Sequence, residues 1–385
     1  MKTIDEIVLR DKIILLRVDY NVSFADDGAI ADDLRITESL PTLKLLLRNN
    51  NKLILVSHLG KPKGKEHTFS LKPICQRLKK YLPDISIVLV DDFHTLKKAD
   101  IENAPKNTIF VLENIRFFKE EKENDPVFAK ELASLADIFV NDAFGVSHRE
   151  DASVVGVPKL LPSFAGLLLK KEIAMIEKVT KNPTRPYVAI IGGAKISTKL
   201  GLIDKLATLS DHVLLGGGLA NTLLKAKGYE IGKSLCENDV LEVEAKRLIA
   251  KHNDTIQLPT DVIVENGKGE MSAKNVETLH PDDAIFDIGP KTQEQYQTFI
   301  RDAKTIVWNG PVGYFEKKEY KAGTDGIYQA IIANQPAVSL LGGGDTITAI
   351  ANMPNHERIT HISTGGGAML EFIEKGTLPG IEALG

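Results

Sequence analysis

The chain has 385 residues, 43% of them hydrophobic, and a formal net charge of −4 at pH 7. Its length exceeds the roughly 100 to 200 residues of a usual single domain, so two domains are predicted, and its lack of a basic field argues against nucleic acid or an anionic membrane surface as a partner. No uncharged apolar stretch approaches the roughly 20 residues of a membrane span, and acidic residues stand where a secretory signal has its apolar core, so we expect a soluble, cytoplasmic protein with no membrane partner.

Short β-branched apolar runs recur along the chain, each followed by a polar or glycine break and then by helical periodicity. The predicted strands of the first half lie in KIILLRVDYN, KLILVSHLG, ISIVLVDD, TIFVLENIR and DIFVNDAFG. Those of the second half lie in YVAIIGGAK, HVLLGGGLA, IQLPTDVIV, TIVWNGPVG, AVSLLGGGD and ITHISTGGG. Continuous apolar runs are typical of parallel strands covered by helices on both faces. The pattern therefore predicts an α/β fold with two Rossmann-like domains.

The strands of the first half end in charged and hydrogen-bonding side chains. They are Arg17, Asp19, Asn21, His58, Lys61, Arg116, His148 and Arg149. Taken singly, each has a structural explanation, such as an ion pair between loops or a hydrogen-bonded histidine. Because ligands gather beyond the carboxyl ends of parallel strands, the shared position of these residues favours a site for a small, multiply anionic molecule.

One helix is predicted between the two halves, in LPSFAGLLLKKEIAMIEKVTKNPTRP. Pro162 and Pro183 flank this segment, which gives a helix over 163–182. The predicted domains are then 1–162 and 183–370, joined by a hinge helix. Closure of two lobes about such a hinge excludes water from a reaction between their ligands.

The strands of the second half end in glycine instead. The clusters are Gly192–Gly193, Gly216–Gly218, Gly310 with Gly313, Gly342–Gly344 and Gly365–Gly367. One such cluster is often only a tight turn, but amides at several glycine-rich helix starts are typical of a nucleotide site. The P-loop pattern is absent although Lys195 follows a glycine pair, and no clean G-x-G-x-x-G supports the alternative of a Rossmann dehydrogenase.

Ten short motifs follow one another through nearly the whole chain: LLRVDYNV, DDLRI, SHLGKPKG, VLENIRF, NDAFGVSHR, GGAKISTK, GGGLANTLL, WNGPVGYFE, GGGDT and STGGGAMLE. In order and spacing they resemble those of the phosphoglycerate kinase family. The resemblance implies Mg²⁺-dependent phosphoryl transfer between 1,3-bisphosphoglycerate and ADP, which gives 3-phosphoglycerate and ATP. It also implies that 1–162 binds the glycerate, that 183–370 binds the nucleotide, and that a tail, 371–385, packs back on the first domain. Since the family is usually monomeric, we expect a monomer.

By this resemblance, Asp19 and Asn21 hold the glycerate end of the substrate. The side chains expected around its phosphate and carboxyl groups are Arg35, His58, Lys61, Arg116 and Arg149. Fixed cations stabilise the charge that spreads over a transferring phosphoryl group, and the resemblance gives this catalytic role to Arg35, Lys195 and Lys199. Because the acceptor is a carboxylate that is already ionised, no catalytic base is expected.

The resemblance also assigns a nucleotide site. It places Lys195, Lys199 and Asn309 at the phosphates, Gly217 and Gly218 at the adenine, and Glu316 at the ribose. The further positions of this site are Gly193, Gly342, Gly343, Gly344, Thr346, Gly365 and Gly366. Asp345 is expected to hold Mg²⁺ directly or through water, because this ion prefers few protein carboxylates together with phosphate oxygens.

Some positions depart from the family pattern. Lys61 stands where arginine is usual, and lysine lacks the planar, bidentate phosphate contact, so we expect weaker or more mobile substrate binding there. Glu150 and Asp151 stand where Ala and a second His are common, which makes the pocket edge more acidic, and Thr198 stands where many members have Asp. A catalytically silent nucleotide-binding relative is the remaining alternative, and an activity assay separates it from the kinase.

Overall fold

The computed structural model describes residues 1–25, 27–237 and 242–385. Contacts within the chain divide it into two compact units. Unit 1 comprises Met1–Ala174 and Lys375–Gly385, and unit 2 comprises Met175–Glu374. Unit 1 is therefore built from two separate stretches of the sequence, whereas unit 2 is one stretch.

Unit 1 contains one six-stranded sheet. Its strands are β1 (Ile13–Arg17), β2 (Lys52–Val56), β3 (Ser86–Val90), β4 (Thr108–Leu112), β5 (Ile138–Asn141) and β6 (Ser163–Ala165). They lie in the order β3-β4-β2-β1-β5-β6, and every neighbouring pair is parallel. Because β1, β4 and β5 are buried along their whole length, they are apolar almost throughout in the sequence.

The helices of this part of the chain are α1 (Leu34–Leu47), α2 (Lys72–Tyr81), α3 (Lys98–Asn103), α4 (Lys119–Glu123), α5 (Pro126–Ser134) and α6 (Leu167–Thr180). The boundary between the two units falls within α6. Ile36 of α1 and Leu78 of α2 share one buried apolar cluster with Leu16 and Leu55 of the strands. The sheet's core is thus closed by side chains at helical spacing.

The helix predicted over 163–182 begins later than its sequence pattern indicates. Ser163–Ala165 instead forms β6, which is parallel to β5. The carboxylate of Asp142 accepts hydrogen bonds from the backbone N–H groups of Leu168 and Leu169, at 2.8 and 3.2 Å, and so caps α6. The predicted start at residue 163 was wrong because the capping residue lies after β5, where local helical spacing does not reveal it.

Unit 2 contains a six-stranded and a three-stranded sheet. The strands are β7 (Tyr187–Ile191), β8 (His212–Leu215), β9 (Ile256–Gln257), β10 (Asp261–Glu265), β11 (Met271–Asn275), β12 (Ala284–Ile288), β13 (Thr305–Asn309), β14 (Val338–Gly342) and β15 (His361–Ile362). The larger sheet has the order β15-β14-β13-β7-β8-β9 and is parallel. The predicted α/β class, with mostly parallel sheets, is confirmed.

The smaller sheet, in the order β11-β10-β12, is antiparallel and was not predicted. The segment IQLPTDVIV was predicted to be one strand, but Pro259 separates β9 in the parallel sheet from β10 in the antiparallel one. β11 has the sequence MSAKN and is mostly exposed, so it lacks the apolar run by which the other strands were identified.

The helices after β7 complete the fold. They are α7 (Leu200–Leu209), α8 (Gly217–Ala226), α9 (Glu242–Lys251), α10 (Pro290–Asp302), α11 (Ala322–Ala333), α12 (Gly344–Ile350), α13 (Gly367–Lys375) and α14 (Pro379–Glu382). The short α14 belongs to unit 1, where the N–H of Gly380 donates to the carbonyl oxygen of Ser147 at 2.8 Å and Nδ2 of Asn141 donates to the carbonyl oxygen of Gly380 at 3.2 Å. Among the described helices, none has the length and apolar character needed to cross a membrane.

Candidate functional site

A group of charged side chains surrounds Asp19, just beyond β1 in unit 1. Nη1 of Arg35 lies 3.5 Å from Oδ2 of Asp19, and Nδ1 of His58 lies 3.8 Å from Oδ1. The N–H of Asn21 donates to Oδ1 at 3.2 Å. Burial raises the pKa of Asp19, but attraction to Arg35 and Arg17 and the hydrogen bond from Asn21 outweigh this effect and hold the pKa below its ordinary value. Asp19 is therefore an anion that fixes the surrounding donors.

His58 lies in this group as a neutral ring. It is 1% exposed, and burial lowers its pKa to about 3 although Asp19 opposes the shift. Nη2 of Arg17 lies 3.4 Å from Nδ1 of His58. Because a guanidinium group can only donate, Nδ1 is the acceptor and Nε2 carries the proton. Nε2 has no hydrogen-bond partner in the described chain, so its N–H can donate to a ligand oxygen.

The loop after β2 joins Arg116 to the same group. The N–H of Gly60 donates to Oδ1 of Asn21 at 2.8 Å, and the carbonyl oxygen of Gly60 accepts from Nη1 of Arg116 at 2.9 Å. Lys61 follows Gly60 and is exposed. Arg149 is half-buried and close enough to add to the effect of burial in lowering the pKa values of Arg17 and His58. This cluster, the unit 1 site, suits a small polyanion.

In unit 2, a cavity of about 530 Å³ is lined by five of the predicted nucleotide residues, which are Gly193, Gly217, Gly218, Glu316 and Asp345. Its apolar lining includes Leu235, Val262, Ile285, Phe286 and Val312. The volume lies within the roughly 300 to 1,000 Å³ typical of small-molecule sites. A largely apolar cavity with a few polar groups at its edge suits a flat heterocycle that carries a polar tail.

Gly217 is needed where two glycine segments pack backbone to backbone. Its φ is +69°, and a Cβ there would lie 2.8 Å from the carbonyl oxygen of Gly193. Its N–H donates to the carbonyl oxygen of Val312 at 2.8 Å. The cavity is therefore lined at this point by main chain, which a side chain would displace.

Lys199 is a largely buried ammonium group beside the cavity. Nζ donates to the carbonyl oxygen of Gly192 and to Oδ1 of Asn309, both at 2.7 Å. Burial lowers the pKa of Lys199 to about 8, and the carboxylate of Asp345 opposes that shift. Negative charge placed beside Nζ would raise this pKa again.

Asn309 and Thr346 hold two glycine loops together. Nδ2 of Asn309 donates to the carbonyl oxygen of Gly342 at 2.7 Å. Oγ1 of Thr346 accepts from the N–H of Gly310 at 2.7 Å and donates to the carbonyl oxygen of Gly342 at 3.0 Å. Lys199, Asn309, Gly342 and Thr346 thus form one hydrogen-bonded group.

Four other predicted glycines lie at helix starts rather than in the cavity lining. Gly343 precedes α12 and Gly344 begins it, while Gly365 and Gly366 precede α13. The first backbone N–H groups of a helix have no partner within the helix. The amides of Gly343, Gly344 and Gly366 can therefore face an anion, although the described lining of the cavity does not include them. The N–H of Gly365 already donates to Oγ of Ser363 at 3.0 Å.

Lys195 also lies outside the described lining of the cavity, on the loop before α7. The loop is held by Glu237, whose carboxylate accepts from the N–H and the Oγ of Ser197 at 2.7 and 2.6 Å. Burial raises the pKa of Glu237, but these hydrogen bonds and the charge of Lys195 prevail and lower it. Glu237 was not predicted, because no motif in the sequence connects it with the GGAKISTK loop.

The single carboxylate of Asp345 suits a metal ion whose other ligands come from a bound phosphate and water. Among the described residues, no group of three or more His, Cys, Asp or Glu side chains could hold one. Asp345 is exposed and close enough to Lys199 to affect its pKa. One carboxylate beside a phosphate site fits Mg²⁺, which keeps water and phosphate oxygens as its other ligands.

Comparison with known proteins gives one consistent result. A family model described as phosphoglycerate kinase matches residues 4–376. The phosphoglycerate kinase of Dictyoglomus turgidum is 46% identical over 381 residues, which cover 98% of this chain and 96% of the relative. That of Finegoldia magna is 44% identical over 393 residues, which cover 100% of this chain and 98% of the relative.

Solved structures agree with the sequence comparison. The structure of phosphoglycerate kinase from Coxiella burnetii has a TM-score of 0.87 and 37% identity, with 99% of this chain and 98% of the other covered. The corresponding enzyme from Pyrococcus horikoshii has a TM-score of 0.86 and 31% identity, with 100% and 98% covered. None of these proteins is a dehydrogenase.

Proposed function

Because the chain belongs to the phosphoglycerate kinase family and is a kinase of that class, we propose that it transfers a phosphoryl group reversibly, with Mg²⁺, from 1,3-bisphosphoglycerate to ADP. The products are 3-phosphoglycerate and ATP. The bond from phosphorus to the acyl oxygen breaks, a bond to the terminal phosphate oxygen of ADP forms, and a carboxylate leaves. Neither direction requires a proton to be removed, so positioning and charge stabilisation are the tasks of the protein.

The unit 1 site takes the glycerate in this proposal. Asp19 and Asn21 orient its glycerate end, and the neutral His58 donates Nε2–H to one of its oxygens. The cations that balance its phosphate and carboxyl charges are Arg35, Lys61, Arg116 and Arg149. Two observations support this assignment: Arg35 lies 3.5 Å from the buried Asp19, and two donors of the buried Arg116 have no hydrogen-bond partner among the described residues.

The cavity of unit 2 takes the adenine and the ribose in this proposal. The main chain at Gly217 and Gly218 lines the adenine, and Glu316 meets the ribose. The phosphates lie toward the hydrogen-bonded group, where Gly193, Lys199, Asn309 and Thr346 would meet them. The amides of Gly342, Gly343, Gly344 and Gly366 supply further donors, as helix N-termini do for phosphate generally. Gly365 would line the site without donating, because its N–H already donates to Oγ of Ser363 at 3.0 Å.

Arg35, Lys195 and Lys199 are the catalytic cations of the proposal. A loose phosphoryl-transfer transition state spreads negative charge over its equatorial oxygens, and fixed cations stabilise it most. Asp345 would hold Mg²⁺, which neutralises phosphate charge when bound. Closure about α6 would bring the two substrates together and exclude water, with 1–162 and the tail 371–385 serving the glycerate and 183–370 the nucleotide. We propose that the enzyme acts as a monomer.

The observation that most supports this function is the partly buried Lys199, hydrogen-bonded to Asn309 beside the apolar cavity. The test is ADP formation from ATP with Mg²⁺ and 3-phosphoglycerate, with a linked enzyme drawing off the bisphosphoglycerate. Turnover that needs both substrates and the metal ion supports the proposal. Nucleotide binding without turnover would instead favour a silent relative.

A further inference from the structure

Two donors of Arg116 are unused although the side chain is only 3% exposed. Nη1 donates to the carbonyl oxygen of Gly60 at 2.9 Å, but Nε and Nη2 have no hydrogen-bond partner in the described chain. The nearest acidic group is Asp151, whose Oδ2 lies 3.7 Å from Nη2 and is also without a hydrogen bond. The side chain of Asp151 is 10% exposed. A buried guanidinium and a buried carboxylate thus face each other without a hydrogen bond between them.

The distance explains why neither group satisfies the other. A hydrogen bond between N–H and a carboxylate oxygen has heavy atoms about 2.7 to 3.2 Å apart, so 3.7 Å keeps the attraction but not the bond. Buried donors and acceptors that remain unpaired are costly, and they usually meet a ligand or water. The fork formed by Nε and Nη2 matches two oxygens of one phosphate group.

A phosphate on that fork would meet Asp151. An ionised carboxylate and a phosphate dianion repel each other at such short range, whereas a protonated carboxyl group can donate its O–H to a phosphate oxygen. A phosphate therefore binds tightly beside Arg116 and Asp151 only when the carboxyl group of Asp151 is protonated.

The charges around Asp151 are mixed. It is faced by Arg116 from the turn after β4, Arg17 from β1, Glu121 and Lys122 from α4, and His148 and Arg149 from its own segment. Burial raises the pKa of Asp151, and Arg17, Arg149, Lys122 and His148 only partly offset that effect. The free protein therefore already favours the protonated carboxyl more than an exposed aspartate would.

We propose that Asp151 determines the affinity and pH dependence of glycerate binding, because it holds one proton against the substrate phosphate that occupies the free donors of Arg116. The inference rests on the proposed function, which places the phosphate at Arg116. In the bound state the carboxyl O–H donates to a phosphate oxygen, and the proton comes from the buffer. Binding of 3-phosphoglycerate with its phosphate as a dianion is therefore accompanied by the uptake of one proton, which is held by Asp151.

Calorimetric titration of the full chain with 3-phosphoglycerate at pH 8 tests this. The phosphate of the free ligand, with a second pKa near 6, is then a dianion, and no nucleotide is added. The dependence of the binding enthalpy on the ionisation enthalpy of the buffer counts the protons taken up. We expect about one proton for the wild type, and a dissociation constant that rises about tenfold per pH unit above pH 8.

Asp151→Asn keeps the shape and a donor but needs no proton, so we expect almost no proton uptake and a dissociation constant independent of pH. Glu150→Gln makes the same charge change at the exposed neighbour and should behave as the wild type. In steady state, Asp151→Asn should change KM for 3-phosphoglycerate at pH 8 and leave kcat and KM for ATP unchanged.

Three results would overturn the inference: no proton uptake by the wild type, equal uptake by Asp151→Asn, or a loss of kcat without a change in KM. The wild-type proton count decides the matter even when the variant does not fold. If the wild type neither binds 3-phosphoglycerate nor turns over, the proposed function itself fails. If it does both without proton uptake, only the role of Asp151 fails.

Discussion

Lys199 donates from Nζ to Oδ1 of Asn309 at 2.7 Å, in a position where burial lowers the lysine pKa to about 8. A nucleotide phosphate beside Nζ would restore the charged form, so nucleotide binding should take up a proton near pH 8.5 and weaken as the pH rises further. Calorimetric titration with ADP in two buffers measures the uptake. Lys199→Met should abolish it, whereas Lys205→Met, on the exposed side of α7, should not. Equal proton uptake by all three proteins would contradict this role.

Lys195 should affect turnover more than binding. It lies on the loop held by Glu237 and outside the described lining of the cavity, which the proposal assigns to adenine and ribose. We therefore expect its charge to act on the transferring phosphoryl group and not on the base or the sugar. Lys195→Ala should lower kcat by roughly 100-fold or more, as loss of one transition-state donor commonly does, and change nucleotide affinity by only a few fold. Thr198→Ala, on the same loop, serves as the control. Equal losses in kcat and in nucleotide affinity would remove the transition-state role.

Alanine substitutions at two glycines with positive φ, Gly217 and Gly269, distinguish the effect of backbone strain from the effect of losing the adenine site. Gly217→Ala places a Cβ 2.8 Å from the carbonyl oxygen of Gly193 at a φ of +69°, whereas Gly269 has a φ of +80° and nothing within 4 Å of its Cβ position. Each change should cost about 1 kcal/mol or more of stability through strain, with a larger cost at Gly217. Thermal unfolding measures that cost, and ADP titration should show weaker binding only for Gly217→Ala. Equal affinities in both variants would argue against adenine binding at Gly217.

Asp142 should make stability depend on pH. Burial raises the pKa of its carboxyl to about 7, although it caps α6. Since the native state then binds this proton more tightly than the unfolded chain, whose aspartates titrate near 3.9, stability falls as pH rises from about 4 to about 7. Asp142→Asn retains a capping oxygen and cannot ionise, so its melting temperatures at pH 5 and pH 8 should differ less than those of the wild type. Scanning calorimetry checks this, and the exposed Asp84→Asn should leave the wild-type difference unchanged.

The parallel sheets could be predicted because their strands are buried on both faces and are therefore apolar almost throughout. The candidate site positions could be predicted for a related reason, because the carboxyl ends of parallel strands share one edge of the sheet. Such positions include Asp19, His58 and the glycines after β8 and β14. The antiparallel sheet could not be found in this way, since β11 is mostly exposed and lacks an apolar run. In the same sheet, β12 supplies Phe286 to the cavity, so this part of the apolar lining was missed together with the sheet.

Contacts between distant segments were also beyond the sequence pattern. Glu237 reaches Ser197 across 40 positions, and Asp142 caps a helix that begins beyond the next strand. The unpaired donors of Arg116 were equally hidden, because only the folded chain shows that Asp151 stops short of them. The residue types were visible in the sequence, but the partners, the burial and hence the pKa values depend on the fold.

The two-part construction of unit 1 has a consequence for the order in which the protein matures on the ribosome. Gly380 is bonded to Ser147 and Asn141, yet the ribosome makes it only after all of Met175–Glu374 has been translated. The buried apolar cluster of the unit 1 sheet contains no residue of Lys375–Gly385, so this sheet can pack before the tail exists, but its bonds to Gly380 form only after unit 2 has been translated. A stalled chain that lacks Lys375–Gly385 would leave Ser147 and Asn141 without their partner at Gly380.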